Sequence, residues 1–181
     1  PEGVNAIEYA ARLIVFINDL AAQLKQRQDL DTAFDVPFSS LSVNTIRGGN
    51  AVNIIPALCE FQFDYRNLPH MQPQDIVKPI ETYIRQVLEP QMQAVDAAAR
   101  IELVHATNVP ALPEAEARLL HELVEQLVGE SGRHKVAYAT EGGQFWQAGI
   151  HTVICGPGHI AQAHKPDEFV SLAQLERCDR F

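Results

Sequence analysis

The sequence predicts a mixed α/β fold in two parts. The first hundred residues show an amphipathic helix, two strand-like runs, a second helix and a third strand-like run, in the order α-β-β-α-β. One more strand before Pro1 would complete β-α-β-β-α-β, a split βαβ sandwich with its helices on one side of an antiparallel sheet. Beyond residues 108–117, where two prolines indicate a linker, helices and strand-like runs alternate as in an α/β domain.

Residues 4–25 predict an amphipathic helix, because apolar residues recur there every three or four positions. The apolar face comprises Ile7, Ala10, Ile14, Ile17, Ala21 and Leu24. The opposite face carries Glu8, Arg12, Asp19 and Gln23. We expect this helix to bury its apolar face in a core.

The next two runs, SLSVNTIRGG (residues 40–49) and NIIPALCEFQFDYRN (residues 53–67), predict a β-hairpin. The second run alternates almost without error. Its apolar face comprises Cys59, Phe61, Phe63 and Tyr65, and its polar face comprises Glu60, Gln62, Asp64 and Arg66. One face of the hairpin should therefore lie in the core, while the other meets water or a polar partner.

Residues 73–93 predict a second helix, although Pro79 interrupts its pattern. A proline removes a helical hydrogen bond and clashes with the preceding turn, so either the helix begins near Lys78 or it is kinked at Pro79. We favour a start near Lys78. RIELVHAT (residues 100–107) then predicts a strand.

The second part of the chain, which we place at residues 112–181 after a first domain of residues 1–108, begins with a predicted helix ending at Gly129. Its expected core stripe comprises Leu119, Leu120, Leu123 and Leu127. Strands are predicted at 134–140 and 149–156, and a short helix lies between them. Ser171, with Gln174 three residues on, predicts a capping box for the last helix.

Composition and charge argue against several classes of function. The 181 residues carry a net charge of −9, so there is no basic field to hold nucleic acid or an anionic membrane surface. The three cysteines form no paired motif, no apolar run approaches a membrane span, and no signal peptide is visible, which together favour a cytoplasmic protein. The start at Pro1 rather than Met favours a piece of a longer protein.

The stretch GPGHIAQAHKPDEF (residues 156–169) contains the candidate metal ligand His164. It follows a predicted strand, where α/β sheets place their sites, and Asp167 and Glu168 are close enough to orient an imidazole. A solvent-exposed surface histidine explains the same pattern. Zinc needs three or four ligands, and this loop offers one good candidate.

Arg66 ends the polar face of the hairpin, so its guanidinium is placed to bind a substrate carboxylate bidentately. A surface ion pair with Asp64 or Glu60 is the simpler explanation. Asn53 and the Glu141-Gly142 pair are further candidates for contact with a ligand. Turn chemistry explains Asn53 equally well, and a helix start explains Glu141.

Three motifs in order, GVNAIEYAARL, TIRGGNAVNIIPALCEFQFDYRNLP and YATEGGQFWQAGIHTVICGPGHIAQAHKPDEF, resemble the zinc-dependent acetylornithine deacetylase, succinyl-diaminopimelate desuccinylase and aminoacylase family. The resemblance implies that residues 1–108 are a βαββαβ ferredoxin-like lid domain that lacks its first strand and forms a homodimer. Residues 112–181 would be the last part of the catalytic domain. The implied reaction is hydrolysis of an N-acyl amino acid, and TEGG, CGPG and AHKPDEF favour N-acetylornithine.

The resemblance also implies residue roles. His164 would be a metal ligand, Arg66 would hold the substrate carboxylate, and Asn53 would reach a substrate across the dimer. Glu141 and Gly142 would line the substrate pocket. The cofactor would be zinc, or cobalt in its place, with two ions in the complete enzyme.

Most metal ligands and all catalytic residues would lie outside the chain, which would be inactive alone. The open alternatives are a non-catalytic dimerisation module and a desuccinylase or dipeptidase of the same family.

Overall fold

A computed structural model describes residues 3–113, 118–129, 135–163 and 165–181. The chain divides into two compact units, the first made of Pro1–Thr32 and Val36–Thr107 and the second of Ala33–Asp35 and Asn108–Phe181. Helices and a two-stranded antiparallel sheet confirm the mixed α/β class. Within the described ranges, no helix is both long and apolar enough to cross a membrane.

Helix α1 spans Ala6–Gln26, close to the predicted range. Asn5 caps it, because its side-chain oxygen accepts from the amide of Ile7 at 3.1 Å and supplies a partner that the first turn lacks. The buried residues are Ala10, Leu13, Ile17 and Leu24. Leu13 is thus a core residue that the predicted face omitted, whereas Ile7 stays 38% exposed.

Strands β1 (Ser40–Gly48) and β2 (Cys59–Arg66) form the predicted hairpin. Residues of β2 alternate between half-buried and exposed along its whole length, which confirms the predicted faces. Strand β1 contains one irregularity, where Asn44 is an extra residue between two paired neighbours. This bulge resets the alternation of β1, so that Ile46 comes opposite Phe61 on the apolar side of the hairpin.

The predicted start of the second helix at Lys78 is wrong. Helix α2 spans Gln74–Tyr83, and Pro79 lies inside it. Ile76 is fully buried and Val77 nearly so. Starting the helix one turn before the proline therefore places two apolar side chains in the core, which offsets the hydrogen bond that Pro79 cannot make.

Helical structure continues without a break through a π-helical turn at Ile84–Leu88 and a short helix α3 at Glu89–Gln93. The amide of Glu89 donates to the carbonyl of Ile84, five residues back. Pro90 follows directly, and its ring would clash with the carbonyl four residues earlier in a regular α-helix. The wider turn accommodates this proline.

The core of the first unit lies between α1, the apolar side of the hairpin and the α2–α3 helix. Its buried members are Leu13, Ile17, Leu24, Leu41, Met71, Ile76, Ile80, Ile84 and Leu88. Half-buried Phe61, Phe63 and Tyr65 of β2 pack against them. The first unit thus closes a hydrophobic core with residues of its own.

The predicted third strand at 100–107 is wrong, because these described residues join no β-ladder. A strand needs a neighbouring strand to bond its backbone, and the sheet contains only β1 and β2 among the described residues. Ile101 still packs against the core, and its amide donates to Glu89 Oε1 at 3.0 Å. The described parts of the strand-like runs at 134–140 and 149–156 likewise form no ladder.

The described part of the second unit contains helices α4 (Arg118–Val128), α5 (Gly142–Gln147) and α6 (Leu172–Cys178) and a 3₁₀ turn at Ile160–Gln162. Gly129 ends α4 with φ +71° and donates to the carbonyl of Glu125, as its position predicts. The expected core stripe of α4 is wrong for three of its four members, because Leu119, Leu123 and Leu127 are 75%, 49% and 59% exposed, whereas Leu120 is half-buried.

The last helix confirms half of the predicted capping box. Ser171 caps α6 by accepting from the amide of Gln174 at 3.3 Å. The Gln174 side chain does not return the bond and instead donates to the carbonyl of Gly158. It thereby connects α6 to the loop that precedes the 3₁₀ turn.

Candidate functional site

Arg66 is the last residue of β2 and pairs with Ser40 at the open end of the hairpin. Its Nε donates to Asp64 Oδ2 at 3.1 Å, and the two side chains are 61% and 55% exposed. The two residues share the polar face because side chains two apart on a strand point the same way. The expected surface ion pair with Asp64 is therefore present, on a strand that fixes the backbone of both residues.

Asn53 lies in the loop between β1 and β2 and is exposed. The loop turns tightly at this point, since the amide of Ile54 donates to the carbonyl of Ala51. Pro56 anchors the loop to the start of α1 by accepting from the amide of Ala6 at 2.9 Å. Asn53 is thus presented to solvent at the closed end of the hairpin, next to the first turn of α1.

The structure does not bring Asn53 and Arg66 together within one copy of the chain. Strand β2 separates the loop from Arg66, and its eight residues span about 23 Å at ~3.3 Å per residue. Helix α1 runs the same way, since its start contacts the loop through Pro56 and its end, with Leu24, lines one indentation together with Leu68. An N-acyl amino acid is shorter than this separation, so one copy cannot use both side chains on one substrate.

Glu141 precedes helix α5 and is exposed, while the next two residues, Gly142 and Gly143, are buried. A Cβ on Gly143 would overlap the carbonyl oxygen of Pro110. A Cβ on Gly142 would come within 3.1 Å of the Leu112 side chain. Close packing against residues 110–112 therefore accounts for the absence of side chains at both glycines, and the pocket-lining role of Glu141 and Gly142 stays a prediction.

His164, the predicted metal ligand, lies outside the described residues. On its N-terminal side, His159 Nδ1 accepts from the amide of Ala161 at 3.1 Å and caps the 3₁₀ turn. On its C-terminal side, Asp167 adopts φ 59°, which is uncommon for a residue with a side chain. Among the residues that the structure describes, no three His, Cys, Asp or Glu side chains lie together in a way that could hold a metal ion.

Sequence reasoning missed a charged cluster at the end of α1. Arg27 binds Asp29 through both Nε and Nη2, at 2.8 and 2.7 Å, and His70 Nε2 lies 3.4 Å from the same carboxylate. The hydrogen bond from Arg27 holds the pKa of Asp29 well below its ordinary value. The two-residue spacing of Arg27 and Asp29 in the sequence RQD could have predicted their ion pair. His70 lies 41 residues away from Asp29 along the chain, so its place in the cluster depends on the fold.

Residues 1–92 match the family model described as the peptidase dimerisation domain. The chain is also similar to curated proteins named acetylornithine deacetylase. It is 33% identical to that of Myxococcus xanthus over 177 residues, 35% to that of Proteus mirabilis over 178, and 37% to that of Edwardsiella ictaluri over 172.

These alignments cover 98%, 97% and 93% of this chain but 45%, 43% and 42% of the respective relatives. The chain therefore spans less than half the length of the curated relatives it matches.

Proposed function

The chain belongs to the peptidase dimerisation domain family, and from that premise we propose that it acts as part of a zinc-dependent amidohydrolase. The proposed reaction is hydrolysis of N-acetylornithine to ornithine and acetate, in the cytoplasm. The first unit would form the homodimer, and the second would contribute to the catalytic domain. The 181 residues alone would be inactive.

The extent of the sequence similarity carries this proposal. The family model ends at residue 92, but the alignments with the acetylornithine deacetylases continue through the second unit and cover up to 98% of the chain. A chain selected only for dimerisation has no need to keep the second unit similar to an enzyme. This observation favours an enzyme over an independent dimerisation module.

The separation of Asn53 and Arg66 fits a substrate site built from two copies. Arg66 would bind the α-carboxylate of a substrate from one copy, because a guanidinium matches a carboxylate in charge and shape. Asn53 of the other copy would approach from the loop at the closed end of its hairpin. A dimer is thus the simplest arrangement in which both residues serve one substrate.

Zinc enters the proposal from the family resemblance, with His164 as one ligand. The described residues alone do not fit a zinc site, because no group of three ligating side chains occurs among them. The other ligands would have to come from outside the described residues. A bound zinc ion would polarise the acyl carbonyl and supply a hydroxide nucleophile in the complete enzyme.

A non-catalytic dimerisation module is the second candidate. It is favoured by the self-contained core of the first unit and by a family model confined to residues 1–92. A related enzyme with desuccinylase or dipeptidase specificity is a variant of the first candidate.

The test uses the complete polypeptide in which these residues occur, purified with zinc. Hydrolysis of N-acetylornithine, N-succinyl-diaminopimelate and a dipeptide is measured side by side, before and after chelation of the metal. The proposal expects preferential release of acetate from N-acetylornithine, loss of activity on chelation and recovery with zinc. A dimer that hydrolyses none of these compounds would support the dimerisation module instead.

A further inference from the structure

The ion pair between Asp64 and Arg66 is a charged contact within the proposed carboxylate site. Both residues lie on the outer face of β2, and their backbones are fixed by pairing with Ser42 and Ser40 of β1. Arg66 Nε donates to Asp64 Oδ2 at 3.1 Å. Both side chains are more than half exposed, and an ion pair this exposed contributes little net stability.

The contact with Asp64 instead orients the guanidinium of Arg66. The guanidinium is planar, so an acceptor held at Nε fixes the plane of the group and the directions in which its two Nη atoms donate. A long arginine side chain otherwise loses considerable rotamer freedom when it binds a ligand. Because the carboxylate of Asp64 stands on a short side chain two residues away on the same rigid strand, the acceptor is itself well placed.

The other polar residues of this face have different neighbours. Gln62 Oε1 accepts from Thr45 Oγ1 at 3.3 Å, and Glu60 stands opposite Arg47 in the register of the hairpin. Asp64 is thus an acid of this face that binds Arg66. Glu60 is a second acid on the same face of the same strand and serves as the matched control.

We propose that Asp64 is a positioning residue that orients the Arg66 guanidinium for the α-carboxylate of an N-acyl amino acid. This inference rests on the proposed function, because it assumes that Arg66 binds a carboxylate. Asp64 also places a negative charge near the substrate carboxylate, and that charge alone would weaken binding. The two effects of Asp64 therefore have opposite signs, which makes them separable by experiment.

The experiment measures KM and kcat of the complete polypeptide with N-acetylornithine and with its α-carboxamide, which lacks the carboxylate. Asp64→Ala removes the acceptor, and we expect it to raise KM for the acid by about three- to tenfold with kcat unchanged. Asp64→Asn keeps an acceptor oxygen and should restore most of the loss. Neither substitution should change KM for the carboxamide, and Glu60→Ala should change neither substrate's KM.

Other outcomes would overturn the inference in recognisable ways. A lower KM for the acid in both Asp64 variants would mean that charge repulsion outweighs orientation. An equal rise in KM for acid and carboxamide would mean a structural role for Asp64. A wild-type protein that hydrolyses neither compound contradicts the proposed function itself, whereas an active wild type whose KM responds to Arg66→Ala but not to Asp64→Ala contradicts only the role of Asp64.

Discussion

The two units of this chain differ in how they bury apolar side chains. In the first, nine core residues are buried, and Ile17, Ile76, Ile80 and Leu88 are essentially inaccessible to water. In the described part of the second, the buried residues are Gly142 and Gly143, which have no side chains to contribute to a core. Three side chains of α4 (Leu119, Leu123 and Leu127) and the aromatic residues Phe145 and Phe169 stay about half or more exposed.

This difference indicates where the stability of each unit comes from. Burial of apolar surface is the dominant favourable contribution to folding, and the first unit obtains it from its own residues. The described part of the second unit depends on helix caps, turns and partly covered contacts, which contribute less. That dependence fits the proposal that the second unit works as part of a larger catalytic domain.

The largest effect should come from the core of the first unit. Ile80→Ala removes a fully buried side chain and leaves a cavity, so it should lower the free energy of unfolding by about 3–4 kcal/mol. Leu123→Ala on exposed α4 is the control and should change it by less than about 0.5 kcal/mol. Urea unfolding followed by far-ultraviolet circular dichroism measures both. Comparable losses in the two variants would contradict the contrast between the units.

A tight contact in the second unit sharpens the comparison. Gly143→Ala would place a Cβ against the carbonyl oxygen of Pro110, and we expect a destabilisation of about 1–3 kcal/mol through local overpacking. Gly156→Ala is the matched control, because no atom lies within 4 Å of its added Cβ. The fluorescence of Trp146, in the same helix as Gly143, reports the thermal transition. If Gly143→Ala melts like the wild type, the packing account of this glycine fails.

Cysteine reactivity should follow the same division. Burial raises the pKa of the Cys59 thiol, while Cys155 and Cys178 of the second unit are exposed. The thiolate is the reactive form, so Cys59 should be alkylated about tenfold more slowly at pH 8. Peptide mass spectrometry after timed iodoacetamide treatment gives the three rates. Equal rates in the folded protein would show that the apolar side of the hairpin is open.

The smallest effect concerns pH. The pKa of Asp29 is lowered in the folded state by its hydrogen bond to Arg27, so its contribution to stability is fully present above the ordinary carboxyl value near 4. It declines below that pH and is lost once the pH falls through the folded-state pKa. Asp29→Asn should therefore flatten the acid limb of a stability–pH curve measured by urea unfolding. If Asp29→Asn leaves the acid limb of the curve unaltered, the hydrogen bond between Arg27 and Asp29 does not contribute to the pH dependence of stability.

Local patterns predicted most of the first unit. The three- and four-residue spacing in α1 and the strict alternation of β2 each report one buried face, and both elements form as expected. Pro79 was misjudged because the local cost of a proline is visible in the sequence, but the burial of Ile76 and Val77 that outweighs it is not. The bulge at Asn44 likewise depends on how two strands pair.

The other wrong predictions concern contacts between residues that are far apart in the sequence. The run at 100–107 has a strand-like composition, but a strand exists only beside a partner, and none of the described residues provides one. The leucine stripe of α4 has helical spacing, and spacing cannot reveal whether another element covers it. The ion pair of Arg66 with Asp64 was foreseeable from their positions on one face of β2, whereas the distance to Asn53 required the hairpin geometry.

Hydrogen–deuterium exchange along the chain tests the contrast between the units most directly. Amides of α1 and α2 around Ile17 and Ile80 should exchange only through global unfolding of the first unit, because their side chains are fully buried. In the 181-residue chain, amides of α4 should exchange far faster, since this eleven-residue helix leaves Leu119, Leu123 and Leu127 exposed and gains little stability from tertiary packing. Protection of α4 equal to that of α1 would contradict this account and would mean that the second unit is stabilised as strongly as the first.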